Sequence, residues 1–129
     1  MTISFDKALG IHADALRFRT ARAEILANNL INADTPGFKA RDIRFKDMLD
    51  NSLAGEPLKT THAGHIQHTT RSSASQQLYR QPLQPAVDGN TVDAEQEESA
   101  YMRNAIEFQT SFTFLSGRFR GLMSAIRGE

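Results

Sequence analysis

The feature that most constrains the fold is a repeating pattern in the last third of the chain, from Asp93 to Arg127. Its apolar residues recur at alternating steps of four and three, an average of 3.5 residues, which is typical of a helix that supercoils against a partner. Such a helix would be about 50 Å long, too long for the interior of a small domain, so we expect it to pack along another helix. The pattern, called the aromatic stripe below, comprises Tyr101, Ala105, Phe108, Phe112, Leu115, Phe119, Leu122 and Ile126.

A second long helix is predicted over residues 6–33, with apolar positions on two opposite sides. We expect the first stripe to face the aromatic stripe of the same chain and the second stripe to face another molecule. The first stripe comprises Leu9, Ala13, Leu16, Thr20, Ala23, Ala27 and Leu30. The second stripe comprises Ile11, Ala15, Phe18, Arg22, Ile25 and Asn29.

Three asparagines, Asn28, Asn29 and Asn32, lie close to the end of this helix although Asn is a mediocre helix former. Two interpretations remain open at this point. Either the side-chain amides bond the unpaired carbonyls of the helix end or the backbone of a neighbouring segment, or the last turn is frayed and solvated.

The helix is expected to stop near Asp34, because a residue that precedes proline, here Thr35, is disfavoured in the α region. Pro36 and Gly37 fit the two central positions of a type II turn, which needs a fixed φ followed by a positive φ. Phe38 is expected to pack just after the turn.

The middle of the chain has weaker patterns. Residues 43–53 predict a short helix, since Phe45, Met48 and Leu49 share one face. Residues 52–87 contain few large apolar side chains, a polar run and three prolines, and we expect this segment to be mobile or ordered only by a partner.

The predicted fold is therefore all-α, with the long N- and C-terminal helices paired as an antiparallel coiled-coil hairpin and a largely irregular middle segment. Its parts are the N-terminal helix at 1–34, the turn, short helix and loop at 35–92, and the C-terminal helix at 93–129, together one discontinuous domain. Asp93 is the expected N-cap of the last helix, paired with Gln96. Two glycines within that helix, Gly117 and Gly121, indicate either close approach of a neighbouring helix or fraying.

Composition excludes several classes of function. The chain has no Cys, and its 15 basic side chains equal its 15 acidic ones, so bulk charge gives no reason to expect nucleic-acid binding. No apolar run is long enough to span a membrane, and the N-terminus does not resemble a cleaved signal peptide.

No catalytic fingerprint is present, and we expect neither an enzyme nor a cofactor. Three histidines at close spacing, His62, His65 and His68, could share a metal ion. We favour solvated loop histidines, because the surrounding segment offers no preformed geometry, and predict no metal site.

The segment ANNLINADTPGFKARD at 27–42 resembles the signature of the rod and hook proteins of the bacterial flagellum. The segments DGNTVDAEQE at 88–97 and FLSGRFRGLMSAIRGE at 114–129 are similar to the short members that form the proximal rod. One departure is Ile31, where the resemblance implies a small residue. The signature positions are Asn28, Asn29, Asn32, Asp34, Thr35, Pro36, Gly37 and Phe38.

This resemblance implies a structural subunit of the proximal rod of the basal body, which polymerises through its terminal helices into the shaft that transmits torque across the periplasm. The implied partners are other copies, other rod subunits, the rod adaptor FliE and the inner-membrane ring protein. It also implies export by the flagellar type III apparatus without a cleaved signal peptide. The alternative is a soluble helical adaptor or export-chaperone-like module that uses the same heptads on a foreign helix.

Overall fold

The computed structural model describes residues 8–53, 77–82, 84 and 86–128. This part of the chain is mostly helical, with long helices on the N- and C-terminal sides, as the sequence predicts. Two very short strands accompany the helices. The elements in chain order are α1 His12–Ile31, β1 Arg41–Asp42, α2 Phe45–Leu53, β2 Leu78–Tyr79 and α3 Ala94–Arg127.

The beginning of α1 differs from the prediction of one continuous helix from residue 6. Ala8 and Leu9 are helical, but Gly10 has a φ of 60° and interrupts the helix. Ile11 then occupies the N-cap position without a side-chain hydrogen bond, so regular helix begins at His12. The positive φ of Gly10, which glycine adopts without a steric penalty, explains the break.

α3 has the predicted start and a well-defined end. The Asp93 carboxylate accepts hydrogen bonds from the backbone N–H of Gln96 at 3.2 Å and from its side-chain amide at 2.8 Å, which confirms the N-cap. The helix ends where Gly128 takes a φ of 77° and donates its N–H to the carbonyl of Ser124. Regular helix continues past Gly117 and Gly121, so fraying at these glycines is excluded.

α1 packs along α3, but the face that α3 turns inward is not the aromatic stripe. The covered face carries mainly polar residues, of which Glu97 and Asn104 are buried. The first half of the aromatic stripe lies about 100° further around the helix, because Tyr101, Ala105, Phe108 and Phe112 each follow a covered residue by one position. The prediction that this stripe packs on α1 is therefore wrong for most of its length. The covered positions, called the polar stripe below although one of them is alanine, are Glu97, Ala100, Asn104, Glu107 and Ser111.

The second stripe of α1 is covered within the chain, so the prediction that it faces another molecule is also wrong. Phe18 is 3% exposed and meets the ring of Phe45 edge-on at 5.4 Å between centroids. Ile43 and Met48 complete this small core together with Ala15. α2 and the residues before it thus cover the second stripe of α1. The predicted short helix is confirmed, and it packs against α1.

A two-stranded antiparallel sheet pairs Arg41 with Tyr79 and Asp42 with Leu78, a feature that the all-α prediction does not include. The backbone N–H of Arg80 extends the pairing by donating to the Ala40 carbonyl at 2.9 Å. Part of the segment predicted to be irregular thus lies against β1. Residues 54–76 of that segment, which include His62, His65 and His68, fall outside the described residues.

No helix in the described ranges is both long enough and apolar enough to cross a membrane.

Candidate functional site

The turn that follows α1 has the predicted geometry. Gly37 has a φ of 73°, and the Thr35 carbonyl accepts a hydrogen bond from the backbone N–H of Phe38 at 3.2 Å. These are the positive φ and the closing bond that a type II turn requires at Pro36 and Gly37. The signature sequence therefore encodes a sharp reversal directly after the helix.

The asparagine amides at the end of α1 are used, so the interpretation as a frayed turn is wrong. Asn32 donates from its side chain to the Asn28 carbonyl at 2.8 Å, which satisfies one terminal carbonyl of the helix. Asn29 is 1% exposed and forms a two-way pair with the backbone of Arg41. Its amide donates to the Arg41 carbonyl at 2.7 Å, and its oxygen accepts from the Arg41 N–H at 3.1 Å.

The segment DGNT at 88–91 forms hydrogen bonds to the turn that follows α1. Asn90, which is 5% exposed, donates from its amide to three carbonyls, at 3.2 Å to Asn32, 2.6 Å to Ala33 and 3.1 Å to Thr35. One side chain thus caps the end of α1 and fixes the start of the turn. The segment that leads into α3 is therefore bound to the end of α1.

Backbone hydrogen bonds also join the segment 88–91 to the turn after α1. Gly37 donates its N–H to the Asp88 carbonyl at 2.9 Å, and Thr91 donates its N–H to the Phe38 carbonyl at 3.0 Å. The Thr91 hydroxyl also accepts from the Ala40 N–H at 2.8 Å. The signature turn and the segment before α3, about 50 positions apart, form one unit.

A group of charged and amide side chains, called the polar hub below, joins this unit to both long helices. Its members are Arg22, Asn29, Asp42, Arg80 and Glu97. Arg80 donates to Asp42 and to Glu97, each at 2.5 Å. Arg22 donates two bonds of 2.9 Å to Asp42, and Asn29 donates to Glu97 at 3.1 Å. The carboxylates in the hub are thus satisfied by donors from different elements.

The charges in the hub shift the pKa values of two members. Burial raises the pKa of Asp42, but hydrogen bonds from Arg22 and Arg80 outweigh it, so the pKa lies below its usual value. The hydrogen bond to Asp42 raises the pKa of Arg22. The ion pair is therefore fully charged at neutral pH.

A second polar cluster lies further along the contact between α1 and α3. Asn104 is 2% exposed and donates to the Arg19 carbonyl at 2.8 Å. The Arg19 guanidinium forms an ion pair with Glu107 and lies 4.8 Å from the centroid of the Phe45 ring. Burial lowers the pKa of Arg19, opposed by Glu107. This contact is held by polar side chains where the heptad pattern predicts apolar packing.

The aromatic stripe is left largely open by the chain itself. Tyr101 is 42% exposed, Phe108 37%, Phe112 50%, Phe119 41% and Ile126 83%. Ala105 is also exposed, while Leu115 and Leu122 are half-buried. Further large apolar side chains on α3 are exposed beside the stripe, namely Met102, Ile106, Phe114 and Met123. A continuous apolar surface of this kind marks an interaction site.

The structure separates the predicted site residues into two groups. Asn29, Asn32, Thr35, Gly37 and Phe38 come together at the end of α1, where Phe38 is half-buried as expected. The side chains of Asn28, Asp34 and Pro36 are exposed. In α1 and the residues just before it, the predicted contact residues are covered to differing degrees. Phe18 is buried, and the half-buried ones are Leu9, Ile11, Leu16, Ile25 and Leu30.

Several residues of the site are absent from the sequence-based prediction, above all Arg80, Asn90, Glu97 and Asn104. For Glu97 and Asn104 the sequence does contain a signal, because the polar stripe repeats with the same steps of three and four as the aromatic stripe. A search restricted to large apolar residues overlooks it. Arg80 and Asn90 had no periodic signal, since they belong to an irregular segment.

Ile31, the departure noted in the signature, is 82% exposed, so its size requires no space in the interior. Among the described residues no group of three or more His, Asp or Glu side chains is placed to hold a metal ion.

Comparisons with known proteins point to one family. A family model described as flagella basal body rod protein matches residues 9–39, which include α1 and the turn. FlgB of Aeromonas hydrophila is 49% identical, covering 100% of this chain and 99% of the relative. FlgB of Salmonella typhimurium is 40% identical over 95% of each chain, and FlgB of Escherichia coli is 38% identical over 98% of each chain.

Proposed function

Since the chain belongs to the FlgB family of flagellar basal body rod proteins and is thus a structural subunit of the rod, we propose that it assembles through the aromatic stripe of α3. The family is structural and not enzymatic, which agrees with the sequence analysis.

The observation that supports this proposal is that one face of α3 is covered by α1 while another face is exposed. The polar stripe lies against α1, where Glu97 accepts from Asn29 and Asn104 donates to the Arg19 carbonyl. The aromatic stripe, in contrast, keeps Tyr101, Phe112 and Phe119 between 41% and 50% exposed. Fully burying one such side chain is worth about 1.5–3 kcal/mol. Neighbouring subunits that cover the stripe would gain this energy without disturbing the contact between α1 and α3.

We further propose that α1 and α3 form an antiparallel coiled-coil hairpin. The order of contacts supports it, since Asn29 bonds Glu97, Arg19 bonds Asn104, and His12 meets the ring of Phe114 at 5.7 Å. The polar hub ties the regions 1–34, 35–92 and 93–129 together, which supports their assignment to one discontinuous domain.

In this proposal the signature residues build the closed end of the hairpin. Asn29 fixes Arg41, and Asn32 with Thr35 receives Asn90, so the chain returns to α3 at a set position. The two helices can then project together as a stiff rod, which suits a subunit of a shaft that transmits torque.

The remaining proposals follow from the family. The partners would be other copies of the chain, other rod subunits, FliE and the inner-membrane ring protein. The subunit would lie in the periplasmic part of the basal body after export by the flagellar type III apparatus, without a cleaved signal peptide.

The second candidate, a soluble helical adaptor or export-chaperone-like module, would use the same exposed stripe on a foreign helix. Deletion of residues 93–129 distinguishes the two. Loss of a component from purified basal bodies supports the rod subunit, whereas loss of a cytosolic complex supports the adaptor.

The direct test of the proposal is Phe112→Asp. A charge at this position would be buried without a partner in the assembled rod, which costs several kcal/mol, yet it stays solvated in the single chain. We expect motility and basal-body incorporation to be lost while secretion and the circular dichroism of the purified chain are unchanged. Gln109→Asp, at an exposed position outside the stripe, is the matched control and should remain motile. Normal motility of Phe112→Asp would overturn the proposal.

A further inference from the structure

The last third of α3 has little cover from the described part of the chain. From Gly117 to Gly128 only Leu122 is half-buried, and the other residues are exposed. Near the start of this stretch the ring of Phe114 meets that of His12 at 5.7 Å. At 1.5 Å per residue, α3 continues for about 20 Å beyond Phe114. This length of helix is open to a partner on the side that faces α1, which is distinct from the aromatic stripe.

A cavity of about 650 Å³ lies between this part of α3 and the residues before α1. Phe114 and Leu122 supply apolar walls, and Ala8 lies at the opposite edge. Gly117 and Gly121 also line the cavity, and an added Cβ at either position would meet no described atom within 4 Å. The glycines therefore leave room for the larger side chains of an occupant.

The N-terminal side of the chain leads into this cavity. Ala8 and Leu9 are helical, and Gly10, with a φ of 60°, separates them from α1. Glycine adopts such a φ without the steric penalty of other residues. Ala8 lies at the edge of the cavity on the far side of this break, so the chain that precedes Ala8 starts at that edge. That chain is residues 1–7, which are outside the described part of the structure.

The register of the helix pair assigns positions to this segment. Contacts between α1 and α3 advance by equal numbers of residues in opposite directions, from Asn29 with Glu97 to Arg19 with Glu107 and then to His12 with Phe114. Such equal steps are expected of an antiparallel helix pair, in which both helices rise by the same 1.5 Å per residue. Continued for seven more residues, the same register sets Phe5 opposite Gly121.

The side chains of residues 1–7 are complementary to the cavity. The segment has one carboxylate, Asp6, and its large apolar residues are Met1, Ile3 and Phe5. Arg118 lines the cavity and forms no ion pair with any described residue. The register sets Ala8 opposite Arg118, and Asp6 precedes Ala8 by only two residues. The carboxylate is therefore within reach of a long Arg side chain.

We propose that residues 1–7 of the same chain occupy this cavity, with Phe5 against Gly121 and Asp6 beside Arg118. The proposal rests on the antiparallel arrangement of α1 and α3 and extends it to the free end of α3. Burial of the Phe5 ring supplies the attraction, and the break at Gly10 sets the direction in which the segment meets α3. The polar hub then closes one end of the helix pair and the N-terminus closes the other, while the aromatic stripe stays open.

Disulfide formation tests the position of the segment, because the chain has no native Cys. A disulfide needs Cα atoms within about 7 Å, and the register brings position 2 close to position 125. We expect Thr2→Cys/Ala125→Cys, oxidised in dilute solution, to give a cross-linked monomer on a non-reducing gel. Thr2→Cys/Ser116→Cys is the matched control and should stay uncross-linked, because Ser116 is about two and a half turns from Ala125 and on the other side of α3.

The gel also identifies a different occupant. If a second copy of the chain fills the cavity, Thr2→Cys/Ala125→Cys gives cross-linked dimers in place of the cross-linked monomer. If another molecule fills it, no cross-link forms. Either result would overturn the proposal.

A second pair of cysteines separates this inference from the arrangement on which it rests. Ala27→Cys/Ala100→Cys has the same register as Thr2→Cys/Ala125→Cys, but both of its sites are half-buried between the described parts of α1 and α3. If this pair does not cross-link either, the antiparallel arrangement is wrong and the docking of residues 1–7 fails with it. If this pair cross-links and Thr2→Cys/Ala125→Cys does not, only the docking is wrong.

Hydrogen exchange tests the contribution of Phe5. We expect Phe5→Ser to speed amide exchange at residues 119–127 by about tenfold or more, because the burial of the ring is lost, while amides near the polar hub keep their protection. Lys7→Ser changes a side chain that the proposal leaves in solvent, and it should alter exchange at residues 119–127 by less than about twofold. Equal exchange in Phe5→Ser and the unaltered chain would contradict the proposal.

Discussion

Asn29, near the end of α1, donates a hydrogen bond of 3.1 Å to Glu97, near the start of α3, and each of these residues is 1% exposed. The bond joins positions 68 residues apart and lies inside the polar hub. A neutral amide that donates to a buried carboxylate reduces the cost of burying that charge. The closed end of the helix pair is thus specified by polar side chains.

Substitution of Asn29 tests this relationship. Asn29→Ala leaves the backbone N–H and carbonyl of Arg41 without their partner and removes one donor from Glu97. We expect the free energy of unfolding in urea to fall by about 3 kcal/mol. Hydrogen exchange should show lost protection at the Arg41 amide. Asn28→Ala, at an exposed neighbouring position, should change stability by less than about 0.5 kcal/mol. An Arg41 amide that remains protected in Asn29→Ala would contradict the assignment.

Arg80 is the cation that bridges the two carboxylates of the hub. Arg80→Ala leaves Glu97, whose side chain is 1% exposed, without its ion-pair partner. Breaking a buried pair in this way costs about 3–5 kcal/mol, and we expect the lower end because the Arg80 side chain is 24% exposed. Arg44→Ala breaks an ion pair whose side chains are 68% and 40% exposed and should cost at most about 1 kcal/mol. Equal unfolding midpoints for the two variants would exclude the hub as a stabilising element.

Acidification should weaken the hub through Asp42. The pKa of Asp42 is lower in the folded chain than its usual value, which applies to the unfolded chain. Its ion pairs therefore stabilise the fold above the unfolded pKa, and this contribution is lost as the pH falls through the folded pKa. We expect the difference in unfolding free energy between the unaltered chain and Asp42→Asn to shrink from pH 7 to pH 3. A difference that is independent of pH would contradict the shift.

Two glycine-to-alanine substitutions should have opposite effects on the single chain. At Gly117 an added Cβ meets nothing within 4 Å and the backbone is helical, so Ala should raise stability by about 1 kcal/mol. At Gly37 the φ of 73° strains any residue with a Cβ, so Ala should lower stability by about 1 kcal/mol.

Gly117→Ala also reports on assembly. If a neighbouring subunit approaches α3 closely at Gly117, Gly117→Ala should impair motility although it stabilises the chain, and thermal unfolding with soft-agar swarming would show both effects. A Gly117→Ala strain with unchanged motility would show that no close approach occurs there.

The sequence is sufficient to predict elements that depend on local rules. The N-cap at Asp93, the turn at Pro36 and Gly37 and the short helix around Phe45 follow from residue type and spacing, and the structure confirms each. At the end of α1 the sequence left open whether the asparagine amides are used, and the structure shows that those of Asn29 and Asn32 donate hydrogen bonds.

The orientation of α3 could not be predicted in the same way. Two stripes of the helix share the same spacing, and hydrophobicity favours the aromatic one as the inner face. Glu97 is buried instead because Arg80 and Asn29 donate to it, and Asn104 is buried with its amide donating to the Arg19 carbonyl. Two of these partners come from α1, and the third comes from the irregular segment before α3, so only the three-dimensional arrangement reveals them.

A map of the purified basal body at side-chain resolution tests the central claim most directly. We predict that Tyr101, Phe108, Phe112 and Phe119 of each copy are covered by helices of neighbouring subunits, while Glu97 and Asn104 keep their partners within the same chain. A map in which the aromatic stripe faces solvent, or lies against α1 of its own chain with the polar stripe turned outward, would contradict the account.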